Sequence, residues 1–119
     1  MGWLAKLLGR TTGAPGKPPE HAVIVRFQYG STDLTRLFEL EDRLTAAVAA
    51  KRAGEYDGNE VAVDGSDGVL YLYGPDADRL YEAIRPILEA APFMKAATAT
   101  KRYGPPQDGV RSVTVTIGT

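Results

Sequence analysis

Between Glu55 and Ala91 the chain alternates, turns, alternates again and then changes to helical spacing, an order that few folds accommodate. Residues 59–64 predict a short strand with Val61 and Val63 on one face and Glu60, Ala62 and Asp64 on the other. Gly65-Ser66-Asp67-Gly68 is a turn whose glycines tolerate positive φ. Residues 69–73 return antiparallel, with Leu70 and Leu72 inward and Val69, Tyr71 and Tyr73 on the opposite face. Gly74-Pro75-Asp76 opens a helix, with Pro75 in its first turn or Asp76 as its cap. Ala77, Leu80, Tyr81, Ile84, Ile87, Leu88 and Ala91 form its buried stripe. Pro86 falls inside that helix and predicts a kink with the ring on the solvent side.

The flanking segments complete the pattern. Residues 22–29 alternate as a first strand, with Val23, Val25, Phe27 and Tyr29 facing the core. Residues 33–52 form a first helix on Leu37, Leu40, Leu44, Ala47 and Val48, with Leu34 and Phe38 widening the stripe. Ser31 or Thr32 is its expected cap, Lys51 and Arg52 its last-turn cations, and Gly54 its left-handed terminator. After Pro92, residues 95–103 predict a fourth strand and residues 111–117 a fifth. The β-α-β-β-α-β order is that of a ferredoxin-like α+β plait. Its antiparallel sheet is expected in the order 2-3-1-4, with the fifth strand beside the fourth and two helices on one face. The other face is left to solvent or a partner.

The remaining segments set the domain limits. Trp3, Leu4, Leu7 and Leu8 mark a short amphipathic segment over residues 1–12, far too short to span a bilayer and suited at most to weak membrane-surface contact. Residues 13–20 are a Gly/Pro linker, and residues 21–119 a single domain. The absence of cysteine excludes disulfides, thiolate metal sites and cysteine nucleophiles, and suits the cytoplasm. A net charge of −1 provides no global field for nucleic acid. The charge is uneven, however: Glu55, Asp57, Glu60, Asp64, Asp67, Asp76 and Asp78 follow one another with no Lys or Arg between them.

By parity the uncovered face carries Ile24, Arg26 and Gln28, then Glu60, Ala62 and Asp64, then Tyr71 and Tyr73, with Thr98, Thr100 and Arg102 from the fourth strand. Two aromatics at i and i+2 suit base stacking, but Asp67-Gly68 stands where a basic residue should precede the glycine, and the carboxylates repel phosphate. The same tyrosines suit protein contact. The Asp/Gly-rich turns lack the register of a calcium loop. Arg26 and Asn59 faintly echo an acylphosphatase, but the glycine-rich cradle is missing and Asp33 sits where an anion should bind. His21, the only histidine, is expected to be solvated.

The strings Gly-Glu-Tyr-Asp-Gly-Asn-Glu at 54–60, Leu-Tyr-Leu-Tyr-Gly-Pro-Asp-Ala-Asp-Arg-Leu at 70–80 and Arg-Tyr-Gly-Pro-Pro at 102–106 resemble a family of small bacterial proteins. The resemblance covers roughly residues 22–117 and implies a bacterial cytosolic protein, with no activity attached. Taken together, the expectation is a non-enzymatic interaction domain without cofactor. It self-associates, or binds a protein with a basic surface, through Arg26, Gln28, Glu60, Asp64, Asp67, Tyr71, Tyr73 and Arg102. A small-molecule sensor at a dimer interface is the alternative.

Overall fold

The computed structural model describes residues 21–118. The amphipathic segment 1–12 and the linker 13–20 lie outside them. Five strands and two helices follow the expected order: β1 (His21–Gln28), α1 (Thr35–Ala50), β2 (Glu55–Val61), β3 (Asp67–Gly74), α2 (Ala77–Ala90), β4 (Thr98–Arg102) and β5 (Ser112–Thr116). They form one antiparallel sheet in the order β2-β3-β1-β4-β5, with both helices on one side. This is the ferredoxin-like α+β arrangement. The alternation in β1 sends Val23, Val25 and Phe27 to the helix side, where they meet Leu70 and Leu72 of β3, Leu37, Leu40, Leu44 and Val48 of α1, and Leu80, Ile84 and Leu88 of α2. Burying a large aliphatic side chain of this kind contributes about 1.5–3 kcal/mol. Met94 and Ile117 close the core beside β4.

The helix ends differ in detail from the pattern-based expectation. Neither Ser31 nor Thr32 caps α1; Leu34 holds the cap position without a side-chain bond, and Asp33 Oδ1 instead accepts from the Thr35 N–H at 3.0 Å. Lys51 is the C-cap, so it and Arg52 lie beyond the last turn. Arg52, not Gly54, takes the left-handed conformation next to the helix, at φ 51°. There the Ala53 N–H reaches Val48 O and the Arg52 N–H reaches Ala49 O. That pair of bonds is a Schellman ending, and buried Ala53 and Val48 supply its apolar contact. Gly54 is needed for another reason. A Cβ there would lie 2.1 Å from Tyr73 O, and one on Gly74 would lie 2.2 Å from Ala53 O. The two backbones cross where only glycine fits on both sides.

In α2, Asp76 is the cap and accepts from the Asp78 and Arg79 N–H groups at 3.0 and 3.2 Å. Pro86 is exposed, as expected, and the helix continues through it. Phe38 does not widen the α1 stripe; it is 51% exposed.

The largest revision concerns β2. It begins four residues earlier than the apolar alternation indicates and ends at Val61. The register shifts between Tyr56 and Gly58, a bulge at Asp57. The Ala62 N–H then donates to Asp67 O, closing the hairpin. Ala62, Val63 and Asp64 are therefore in the loop rather than on the sheet, and Val63 is 74% exposed. β4 starts later than expected, because Ala96 takes φ 68° and breaks the strand path before Thr98, and β5 is one residue shorter at each end.

Candidate interaction surface

The side of the sheet opposite the helices carries no helix among the described residues. The pairings fix which side chains share it. Arg26 lies opposite Val69 and Thr98, Gln28 opposite Asp67, and Ile24 between Tyr71 and Thr100. Across the second hairpin, Glu60 faces Val69 and Glu55 faces Tyr73. On the far side Thr98, Thr100 and Arg102 meet Thr116, Thr114 and Ser112. Seven of the eight expected surface residues (Arg26, Gln28, Glu60, Asp67, Tyr71, Tyr73 and Arg102) therefore occupy one face. Asp64 is the exception. It sits in the hairpin loop, where Oδ1 accepts from the Ser66 N–H and hydroxyl at 2.9 and 2.6 Å. Those bonds hold its carboxyl below the usual range, and the side chain stays exposed.

The face is polarised. Glu55, Glu60 and Asp67 stand on its β2–β3 flank; Arg26 and Arg102 stand on β1 and β4. Tyr71 belongs to the acidic flank and donates its hydroxyl to Glu60 Oε1 at 2.6 Å. Partial burial, reinforced by that bond to a carboxylate, pushes its ionisation up to about 12. Arg102 Nε donates to Gly104 O at 2.7 Å, which turns its side chain towards the following loop.

A groove of about 710 Å³ opens at one end of the face, between the last residues of β1 and the 92–97 segment. Arg26, Gln28, Asp67, Phe93 and Lys95 line it. Behind it, Arg36 lies over the rings of Tyr29 and Phe93 at 5.5 and 5.3 Å.

Two polar clusters on the helix side leave no mark in the sequence alternation. Glu41 of α1 accepts from the Tyr56 hydroxyl at 2.7 Å and from the Asn59 side-chain amide, tying edge strand β2 to the helix. Burial is the main cause of the raised Tyr56 ionisation. Asn59 is thus on the opposite face from Arg26, and the acylphosphatase-like pair does not come together. The second cluster surrounds the start of α2. Asp78 accepts from Tyr103 at 2.6 Å and pairs with Lys101 at 3.1 Å, while Arg111 covers the Tyr103 ring at 4.5 Å. These bonds hold the Asp78 carboxyl below its usual range. His21 is not simply solvated: its Nδ1 accepts from the Ala77 N–H at 3.0 Å, which requires the proton on Nε2, and its ring meets Tyr103 edge-on. Asp76 and His21 between them satisfy the first three N–H groups of α2, so that helix end is not left open to an anion.

No protein-family model matches the chain, and no curated protein or solved structure matches it significantly. The resemblance to small bacterial proteins therefore rests on its three strings alone. No helix among the described residues is long and apolar enough to cross a membrane.

Proposed function

We propose that this domain acts by binding a protein partner that presents a basic surface, through the face of the sheet opposite the helices and the acidic hairpin beside it. The observation that carries the reading is the flank formed by Tyr71, Tyr73, Glu55, Glu60 and Asp67 on the side of the sheet opposite α1 and α2. It combines apolar area with directed carboxylates, the mixture favoured at protein contacts. Glu60 is already oriented by the Tyr71 hydroxyl, so little side-chain freedom is left to lose on association.

The charge term sets the test. Immobilised protein is exposed to lysate at low and at high salt, beside an Asp64→Asn/Asp67→Asn variant. Capture should weaken on raising the salt and on neutralising the two carboxylates. Capture indifferent to both contradicts the reading.

The groove supports a second reading, a small-molecule sensor. Arg26, Gln28 and Lys95 offer polar groups beside the Phe93 ring, the usual mixture of a ligand site.

A further inference from the structure

We propose that the outer edge of β5 is a self-association surface, on which a second copy of this chain adds its own β5 antiparallel, making one ten-stranded sheet from two domains.

Backbone direction comes first. Tyr103 N–H donates to Arg111 O and Ile117 N–H donates to Ala97 O. The odd-numbered residues of β5 therefore direct their backbone groups to β4, and the even-numbered ones direct theirs away from the sheet. No described hydrogen bond takes the outward N–H or C=O of Ser112 or Thr114. Such a row is a template for another strand unless something blunts it.

The two edges of the sheet are treated differently. β2 carries Glu55, Asp57 and Glu60 and a bulge, the usual devices against edge pairing. β5 has none of them. Residues 112–119 read Ser-Val-Thr-Val-Thr-Ile-Gly-Thr, without charge or proline, and the strand is regular throughout its pairing with β4. Its β-branched residues suit a pleated surface.

A second observation is independent of the hydrogen bonds. Val113 and Val115 point to the helix side, across from Lys101 and Ala99. Neither helix packs on β5, so both valines are only partly buried. A second β5 laid alongside brings its own Val113 and Val115 next to them, and the four side chains cover one another. With the two-fold axis at Thr114, that residue faces its own counterpart and exchanges both backbone bonds with it, and Val113 of one copy neighbours Val115 of the other. No charges are opposed along this pairing. The binding face proposed above continues across the join, but the pairing does not depend on that reading, since it uses neither tyrosine.

Thr114→Pro is the selective test. It deletes the outward N–H and leaves the ladder to β4 intact. Sedimentation should find wild type and Thr114→Val dimeric, and Thr114→Pro monomeric with an unchanged circular dichroism spectrum. Because the chain has no cysteine, Thr114→Cys gives a second test. Facing residues in a hydrogen-bonded pair have Cα atoms about 5.5 Å apart, within disulfide reach. Oxidation should cross-link Thr114→Cys and leave Glu55→Cys, on the other edge, without a covalent cross-link. Tyr71→Ala/Tyr73→Ala should stay dimeric even though partner capture is lost. A wild type that is monomeric at its highest soluble concentration overturns the proposal. So does a folded Thr114→Pro that still dimerises, or a Thr114→Cys that does not cross-link.

Discussion

Tyr71 shows how a single side chain carries both the fold's geometry and a measurable electrostatic signature. Its parity on β3 sends it away from the core, and Glu60 on the neighbouring strand accepts a hydrogen bond from its hydroxyl. The folded state holds the neutral phenol, raised from the usual 10.0 to about 12. Because the folded value is the higher one, stability from this hydroxyl is complete below pH 10.0 and is lost as pH climbs towards about 12. The difference in tyrosinate absorbance between wild type and Tyr71→Phe should have its midpoint near the upper value; a midpoint at the ordinary tyrosine value contradicts the Glu60 contact. The face of Tyr71 was legible because strand parity is local. His21 was not legible. Its role as acceptor for the Ala77 N–H joins residues far apart in sequence, and a histidine at a strand entry carries no mark of the helix it will meet. The Glu41 bonds to Tyr56 and Asn59 are the same kind of case.

At the scale of elements, sequence periodicity located each helix and strand but not its ends. α1 terminates on Arg52 in a left-handed conformation, which backbone preference alone assigns to Gly54. What decides the matter is tertiary: Gly54 is committed to its crossing with Gly74. The bulge at Asp57 was hidden for a related reason. One extra residue inverts the parity of everything before it, so Tyr56 reads as an outward residue until the register is known. Pro86 offers a prediction at this scale. It lies exposed within α2, with no N–H to give to the carbonyl of the preceding turn. Pro86→Ala should restore that bond and raise unfolding stability by about 1–3 kcal/mol, less the entropy that proline removes from the unfolded chain. Denaturant melts at constant m-value measure it, and an unchanged or lowered midpoint would show that α2 gains nothing from the bond.

For the whole molecule, the topology was legible because connection lengths and periods leave few alternatives: a helix between two strands, a tight hairpin, a second helix, and a last pair of strands. α1 and α2 fall on one side, and among the described residues the sheet's other side carries no helix. That asymmetry is what the proposed binding role draws on. The alternation that buries Leu70 and Leu72 also delivers Tyr71 and Tyr73, with Glu60 and Asp67, to the face the helices do not cover. Asp64 was assigned to that face only because the hairpin was expected to turn later than it does.

If this face binds a partner as proposed, the tyrosine pair is where the binding should fail first. Tyr71→Ala/Tyr73→Ala removes side chains that point away from the core, so the fold should persist, as a cooperative thermal melt will show. Capture of partner protein at low salt is then compared between the double variant and wild type. Proteins retained by wild type should be lost from the variant. A folded double variant that retains the same proteins contradicts it.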